Sequence, residues 1–200
     1  MQTTFQTIAN ETSCEFKDRG SRFIAYSFVV RTIEDAKKQL RMLKELHPKA
    51  VHHCVAYRIG HDGNVYRAYD DGEPSGSAGK PMLGQIDHFG LCNVMVVVVR
   101  YFGGVLLGVP GLINAYKTVT HDVLQASGFV EKNIEVNYLL QFNYTLMNEV
   151  MRIIKQFQLE LLSSEMTLFC EYTVAIPVVR LEDVLQKFQS LHELSFTKLD

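Results

Sequence analysis

All thirteen glycines of this 200-residue chain lie at or before Gly128, and residues 129–200 contain none. Glycine is the residue for backbone that must take positive φ or approach another segment closely. The first stretch must therefore carry the tight turns and close approaches, and the second must be built from ordinary strands and helices. Charge divides at the same place. Residues 1–130 hold 14 Lys/Arg and 12 Asp/Glu, whereas residues 131–200 hold 6 and 10. Six of the seven histidines fall in the first part. A composition shift this sharp marks a boundary near Gly128–Asn133 and gives two expected domains, 1–130 and 131–200.

The glycine-free segment reads clearly. Ile134, Val136, Tyr138, Leu140 and Phe142 alternate, as in a half-buried strand. Leu146, Val150, Ile153, Ile154 and Phe157 recur at helical spacing, with Thr145 the expected N-cap. A short strand is expected near Leu159–Leu162, and another alternation runs from Leu168 to Ile176 and stops before Pro177. Leu181, Val184, Leu185, Phe188 and Leu191 form a second helical stripe, and a last strand lies near Leu194–Leu199. The order β-α-β-β-α-β is the ferredoxin-like pattern.

In the first segment, Glu15–Arg19 and Phe23–Val30 predict a hairpin turning at Gly20-Ser21. Thr32 to Asp35 opens a helix with a capping-box pattern, and Pro48 ends it. Val51–Ile59 and Asn64–Tyr69 are strands around a His-Asp-Gly-Asn turn. A loop, Asp70–Lys80, leads to a short helix opened by Pro81 and closed by Gly90. Val94–Val99 is continuously apolar, so it predicts a strand buried on both faces. A Gly-rich turn then leads to a long helix, about Pro110–Ala126. The fold class is α+β.

The formal net charge of −2 argues against a protein that coats nucleic acid along its length and leaves room for a local basic site. The run Val94–Val99 falls far short of the roughly 20 residues that span a bilayer, so no membrane association is expected. The start MQTTFQTIANETS has neither a basic n-region nor an apolar h-region, so no export signal is expected. Cys14, Cys54, Cys92 and Cys170 are scattered, without metal-ligand spacing. They read as reduced, buried side chains of a cytoplasmic protein.

Two loops concentrate chemistry. The first, Asp70-Asp71-Gly72-Glu73-Pro74-Ser75-Gly76-Ser77-Ala78-Gly79-Lys80-Pro81, fails as a Walker A loop. Pro74 stands where the first glycine belongs, and Pro81 where the magnesium-binding hydroxyl belongs. Asp70, Asp71 and Glu73 lack EF-hand spacing, so no metal is expected there. The stretch is either a polar surface turn or a specific binding loop whose glycines admit a ligand or another chain. The second loop, Arg100 through Leu112, places Gly103, Gly104, Gly108 and Gly111 before a helix N-terminus, which favours an anion. Lys80 and Arg100 add charge, Tyr101 or Phe102 is a candidate base-stacking ring, and Pro110 removes one donor. The competing reading is tight strand–helix packing that needs glycine for clearance. Neither GxSxG, HExxH nor a Rossmann GxGxxG occurs. Ser75 and Ser77 have no local activating base, so neither catalysis nor a cofactor is expected.

Taken in order, these loops resemble the IMPACT family. The resemblance rests on Asp70–Leu83, Val97–Gly104, Leu107-Gly108, Gly111-Leu112 and Ala115-Tyr116, with Ser21–Ile24 and His52–Tyr57 upstream, and extends from about Ser13 to the C-terminus. It implies an N-terminal domain with the fold of ribosomal-protein, GHMP-kinase and elongation factor G domain IV relatives, including a left-handed βαβ crossover. It implies a ferredoxin-like second domain similar to elongation factor G domain V, and a link to translation. Pro110 replaces a usual Gly and Asn114 a common basic residue, and both changes reduce an anion-binding surface. Three functions follow as expectations. The leading one is a non-enzymatic module that binds RNA, the ribosome or translation factors, with Lys80, Arg100 and the glycine N–H groups on phosphate. The second is a regulator that docks a protein partner through Asp70–Lys80. The third is an enzyme with Asp70, Asp71 or Glu73 on a metal.

Overall fold

The computed structural model describes residues 2–199, so Met1 and Asp200 at the ends of the two expected domains lie outside the described residues. The chain divides into two compact units. One is Phe5–Lys132; the other runs from Asn133 onward and takes in the N-terminal stretch up to Thr4.

The first unit runs β1 (Thr4–Ile8), β2 (Thr12–Asp18), β3 (Ser21–Val29), α1 (Ile33–Leu46), β4 (His52–Ile59), β5 (Val65–Tyr69), α2 (Gly79–His88), β6 (Val94–Tyr101), α3 (Gly108–Ser127) and β7 (Phe129–Asn133). Five strands form one sheet in the order β2-β3-β6-β4-β5, each antiparallel to its neighbours. The connections β3–α1–β4 and β5–α2–β6 therefore each step over one strand. The β2–β3 hairpin turns on Arg19 and Gly20, both at positive φ, one residue earlier than the sequence predicts. A two-residue turn with that backbone matches the twist of the strands.

The apolar run of β6 divides between two cores. Val94, Val96 and Val98 pack with α2 and α3, whereas Met95, Val97 and Val99 pack on the opposite face, the side of α1. Thr32 and Asp35 close the capping box, with Asp35 N donating to Thr32 Oγ1 at 3.0 Å and Thr32 N to Asp35 Oδ2 at 3.0 Å. The second helix starts at Gly79 rather than Pro81. The missing N–H of Pro81 costs nothing in the first turn, where donors have no intrahelical partner. Sequence reading did not predict β1 or β7. They pair with each other as a separate two-stranded sheet, across more than a hundred residues of chain.

The second unit runs β8 (Glu135–Phe142), a 3-10 turn at 144–146, α4 (Met147–Phe157), β9 (Glu160–Met166), β10 (Cys170–Pro177), a 3-10 turn at 178–180, α5 (Leu181–Gln189) and β11 (Ser195–Lys198). Its antiparallel sheet has the order β11-β8-β10-β9. Leu140, Phe142, Val174 and Ile176 of the sheet bury against Val150, Ile153 and Ile154 of α4 and Val184 and Phe188 of α5. Thr145 does not cap α4: it lies inside the 3-10 turn, and no side chain caps this start.

Candidate functional site

Asp70 organises the first loop. Its carboxylate accepts from the backbone N–H groups of Gly76 (2.9 Å), Ala78 (3.0 Å) and Gly79 (2.8 Å), which folds the loop back and satisfies the first donors of α2. Asp71 and Gly72 follow at φ 46° and 89°. Asp71 Oδ2 accepts from His53 N at 2.7 Å, and its carbonyl accepts from His52 Nδ1 at 2.8 Å. This ties the loop to β4. Gly79 is required for clearance, because a Cβ there would sit 2.3 Å from Tyr69 N.

The turn directs Glu73 inward. Its Oε1 accepts from Arg100 Nη1 at 2.7 Å and from the Tyr116 hydroxyl at 2.8 Å, and His52 Nε2 lies 3.8 Å away. The Cys54 thiol lies 3.3 Å from the Tyr116 hydroxyl and 3.1 Å from the Asp70 carbonyl. Burial pushes both the Cys54 thiol and the Tyr116 phenol well above their usual ranges, and neighbouring Cys54 and Glu73 add to the effect on Tyr116. Both therefore stay protonated at neutral pH. Arg100, 5% exposed, also reaches Ser21 Oγ at 3.5 Å and lies against the rings of Phe23 and Phe102. Arg100 is thus not the free cation that the sequence suggests, because its guanidinium is committed to Glu73.

The second loop meets the first. Gly103 N donates to Ser21 Oγ at 3.2 Å, and a Cβ on Gly103 would fall 1.9 Å from the Gly20 carbonyl carbon. At Gly103 the glycine is thus there for clearance against the β2–β3 turn. Gly104 and Gly108 hold φ of 87° and 70°, and a Cβ on Gly111 would touch Leu107 at 3.0 Å. The two loops border one cavity of about 370 Å³, whose lining includes His52, Glu73, Pro74, Arg100, Phe102 and Leu106, with Gly108 and Val109 at the start of α3. That helix starts without a side-chain cap.

The other expected residues fall elsewhere. Lys80 is exposed on α2 and outside the cavity lining. Tyr101 packs on the α1 face, its hydroxyl 2.9 Å from His47 Nδ1. Ser75 is exposed, and Ser77 is buried with an unpartnered hydroxyl. Both carboxylate oxygens of Asp70 and Oε1 of Glu73 accept from protein donors, and among the described residues no group of three or more His, Cys, Asp and Glu is placed to hold a metal. Sequence reading did not place Ser21, Cys54 or Tyr116 in the site. The available signal is spacing: Leu112 and Tyr116 are one turn apart on α3, and Cys54 lies two residues after His52 on the same strand.

A family model described as the Impact N-terminal domain matches residues 19–124. This chain belongs to the IMPACT family. The IMPACT span contains every residue of the buried network, from Ser21 to Tyr116. The IMPACT family member YigZ of Escherichia coli (strain K12) is 34% identical over 84% of this chain and 83% of its own length. An IMPACT family member of Haemophilus influenzae is 39% identical over 72% of this chain and 70% of its own length. A crystal structure described as a hypothetical protein is 29% identical, covers 100% of this chain and 99% of its own, and superposes with a TM-score of 0.79. Among the described residues no helix is long and apolar enough to cross a membrane.

Proposed function

We propose that this IMPACT chain is a cytoplasmic, non-enzymatic regulator that engages a protein of the translation apparatus through the cleft between the Asp70–Lys80 loop and the Arg100–Gly111 turn. The link to translation is what the resemblance to the family implies. One observation carries the choice of a protein partner. The two loops converge on a cavity whose arginine is neutralised by buried Glu73, while its rim exposes apolar side chains. Leu106 is 82% exposed, and Phe102, Val109 and Val51 are about half exposed. A polyanion needs free cations, whereas a peptide needs a concave surface for apolar anchors. A second reading, RNA phosphate held by the glycine N–H groups with Lys80, is favoured by the uncapped start of α3 at the cavity.

For the folds, we infer that the first unit belongs with ribosomal-protein and elongation factor G domain IV relatives, which implies a left-handed βαβ crossover. The second unit we infer to be ferredoxin-like, supported by its strand order.

Binding to purified ribosomes across a salt series separates the two partner readings. A protein contact through the rim is lost in Leu106→Asp, survives Lys80→Ala and weakens only gently with salt. Phosphate contacts give the reverse: a steep decline with salt, loss in Lys80→Ala and indifference to Leu106→Asp. That outcome would overturn the protein-partner proposal.

A further inference from the structure

A second cavity lies on the opposite face of the five-stranded sheet, the face covered by α1. Two helices cover the first face, α2 and α3, but only α1 covers this one, and β5 at the sheet edge is exposed along its whole length. The gap left between α1 and β5 is a cavity of about 240 Å³. Val55, Tyr57 and Met95 form its buried floor. Ile33, Ala36 and Leu40 of α1 make one apolar wall, and Tyr69 stands in the other.

The rim is basic. Lys37 and Lys44 lie two turns apart on α1, and Arg67 stands across from them on β5, its guanidinium 5.1 Å from the centre of the Tyr69 ring. The lining holds three cations and no carboxylate. Glu34 beside Lys37 and Asp71 beside Tyr69 lie outside it. Among the described residues, Lys44 and Arg67 make no ion pair, whereas Arg22, Arg58 and Arg100 each hold a carboxylate. An apolar floor with converging polar groups at the mouth is how small-molecule sites are built. At roughly 30 Å³ per water, the volume matches about eight waters, enough for one ring or a short acyl chain.

We propose that this cavity binds a small amphipathic anion, an aromatic ring or short acyl chain carrying a carboxylate or phosphate. The apolar body lies on Val55, Tyr57 and Met95, and the anionic head meets Lys44 and Arg67. The site is separate from the cleft of the preceding section and does not depend on that reading.

The test uses the full chain with three probes of one shape: phenylacetate, phenyl phosphate and the neutral phenylacetamide. Thermal shift is read beside amide NMR shifts at probe concentrations up to about 10 mM. The expected result is that at least one anion raises Tm and moves the signals of Lys44, Tyr57 and Arg67, while phenylacetamide does not. The stronger of the two anions identifies the head group. The double variant Lys44→Gln/Arg67→Gln changes only exposed or rim side chains, and it is expected to weaken the anion about tenfold. Equal binding of the neutral amide, unchanged affinity in the double variant, or absence of shifts at these residues with every probe would each overturn the proposal.

Discussion

Glu73 shows how a motif residue can serve architecture first. Its carboxylate takes one hydrogen bond from Arg100 and one from Tyr116, out of solvent. Removing one member of such a pair strands the other charge, at a cost of about 3–5 kcal/mol. Arg100→Met is therefore expected to lower urea-denaturation stability by that amount, and adding Glu73→Gln to recover a large part of it. Equal loss in the single and double variants would contradict the pairing. His47 offers a pH test. Its ring nitrogens face the hydroxyls of Tyr26 (2.7 Å) and Tyr101 (2.9 Å), and burial, aided by nearby Arg22, holds its pKa below the usual 6.5. The folded state therefore disfavours protonation, and the unfolded state binds more protons as pH falls through 6.5. Stability is expected to be full above pH 6.5 and to fall below it, with a shallower decline in His47→Gln measured by melts between pH 7.5 and 5. These pairings were illegible in the sequence, because Glu73 meets Arg100 across 27 positions and His47 meets Tyr101 across 54. Local pattern marks residue types, whereas the partner is set by how β3, β4, β6 and α3 come together.

Among the elements, the ones best predicted are those whose signal is local. The Thr32–Asp35 capping box forms as written, and Thr32→Ala is expected to cost about 1 kcal/mol in thermal or urea unfolding. The apolar run of β6 correctly predicts burial on both faces, because each alternate valine enters a different core. The Gly-rich loops are harder to read, since glycine serves several purposes. In α2, Gly79 and Gly84 look alike in sequence. A Cβ at Gly79 would press on the Tyr69 backbone, whereas at Gly84 it meets nothing within 4 Å. Gly79→Ala is expected to destabilise by at least about 1–3 kcal/mol through overpacking. Gly84→Ala is expected to stabilise by about 0.5–1 kcal/mol through helix propensity. A pair of urea melts with the same sign would contradict this. The β1–β7 pair escaped sequence reading for a related reason: each strand is five residues long, and the pairing that defines it is distant.

For the whole molecule, glycine content separates the two units. All thirteen glycines lie in the first unit, and the core of the second is closed by two amphipathic helices on one sheet and needs no close backbone approach. In the first unit, Gly72 at positive φ and the clearances at Gly79 and Gly103 help bring two loops onto one cleft. Composition suggested that any phosphate site would be local and built on Lys80 and Arg100. The geometry commits Arg100 to Glu73 and sets Lys80 outside the cavity lining, which leaves an apolar rim as the exposed chemistry. This rim is the surface proposed to meet a protein of the translation apparatus. A benzophenone photocrosslinker placed at Leu106, in the full chain mixed with an active translation extract, tests it most directly. A crosslink to a ribosomal protein or translation factor is expected, lost when Phe102→Asp alters the rim. A crosslink to RNA instead, or no crosslink to any component of that apparatus, would contradict it.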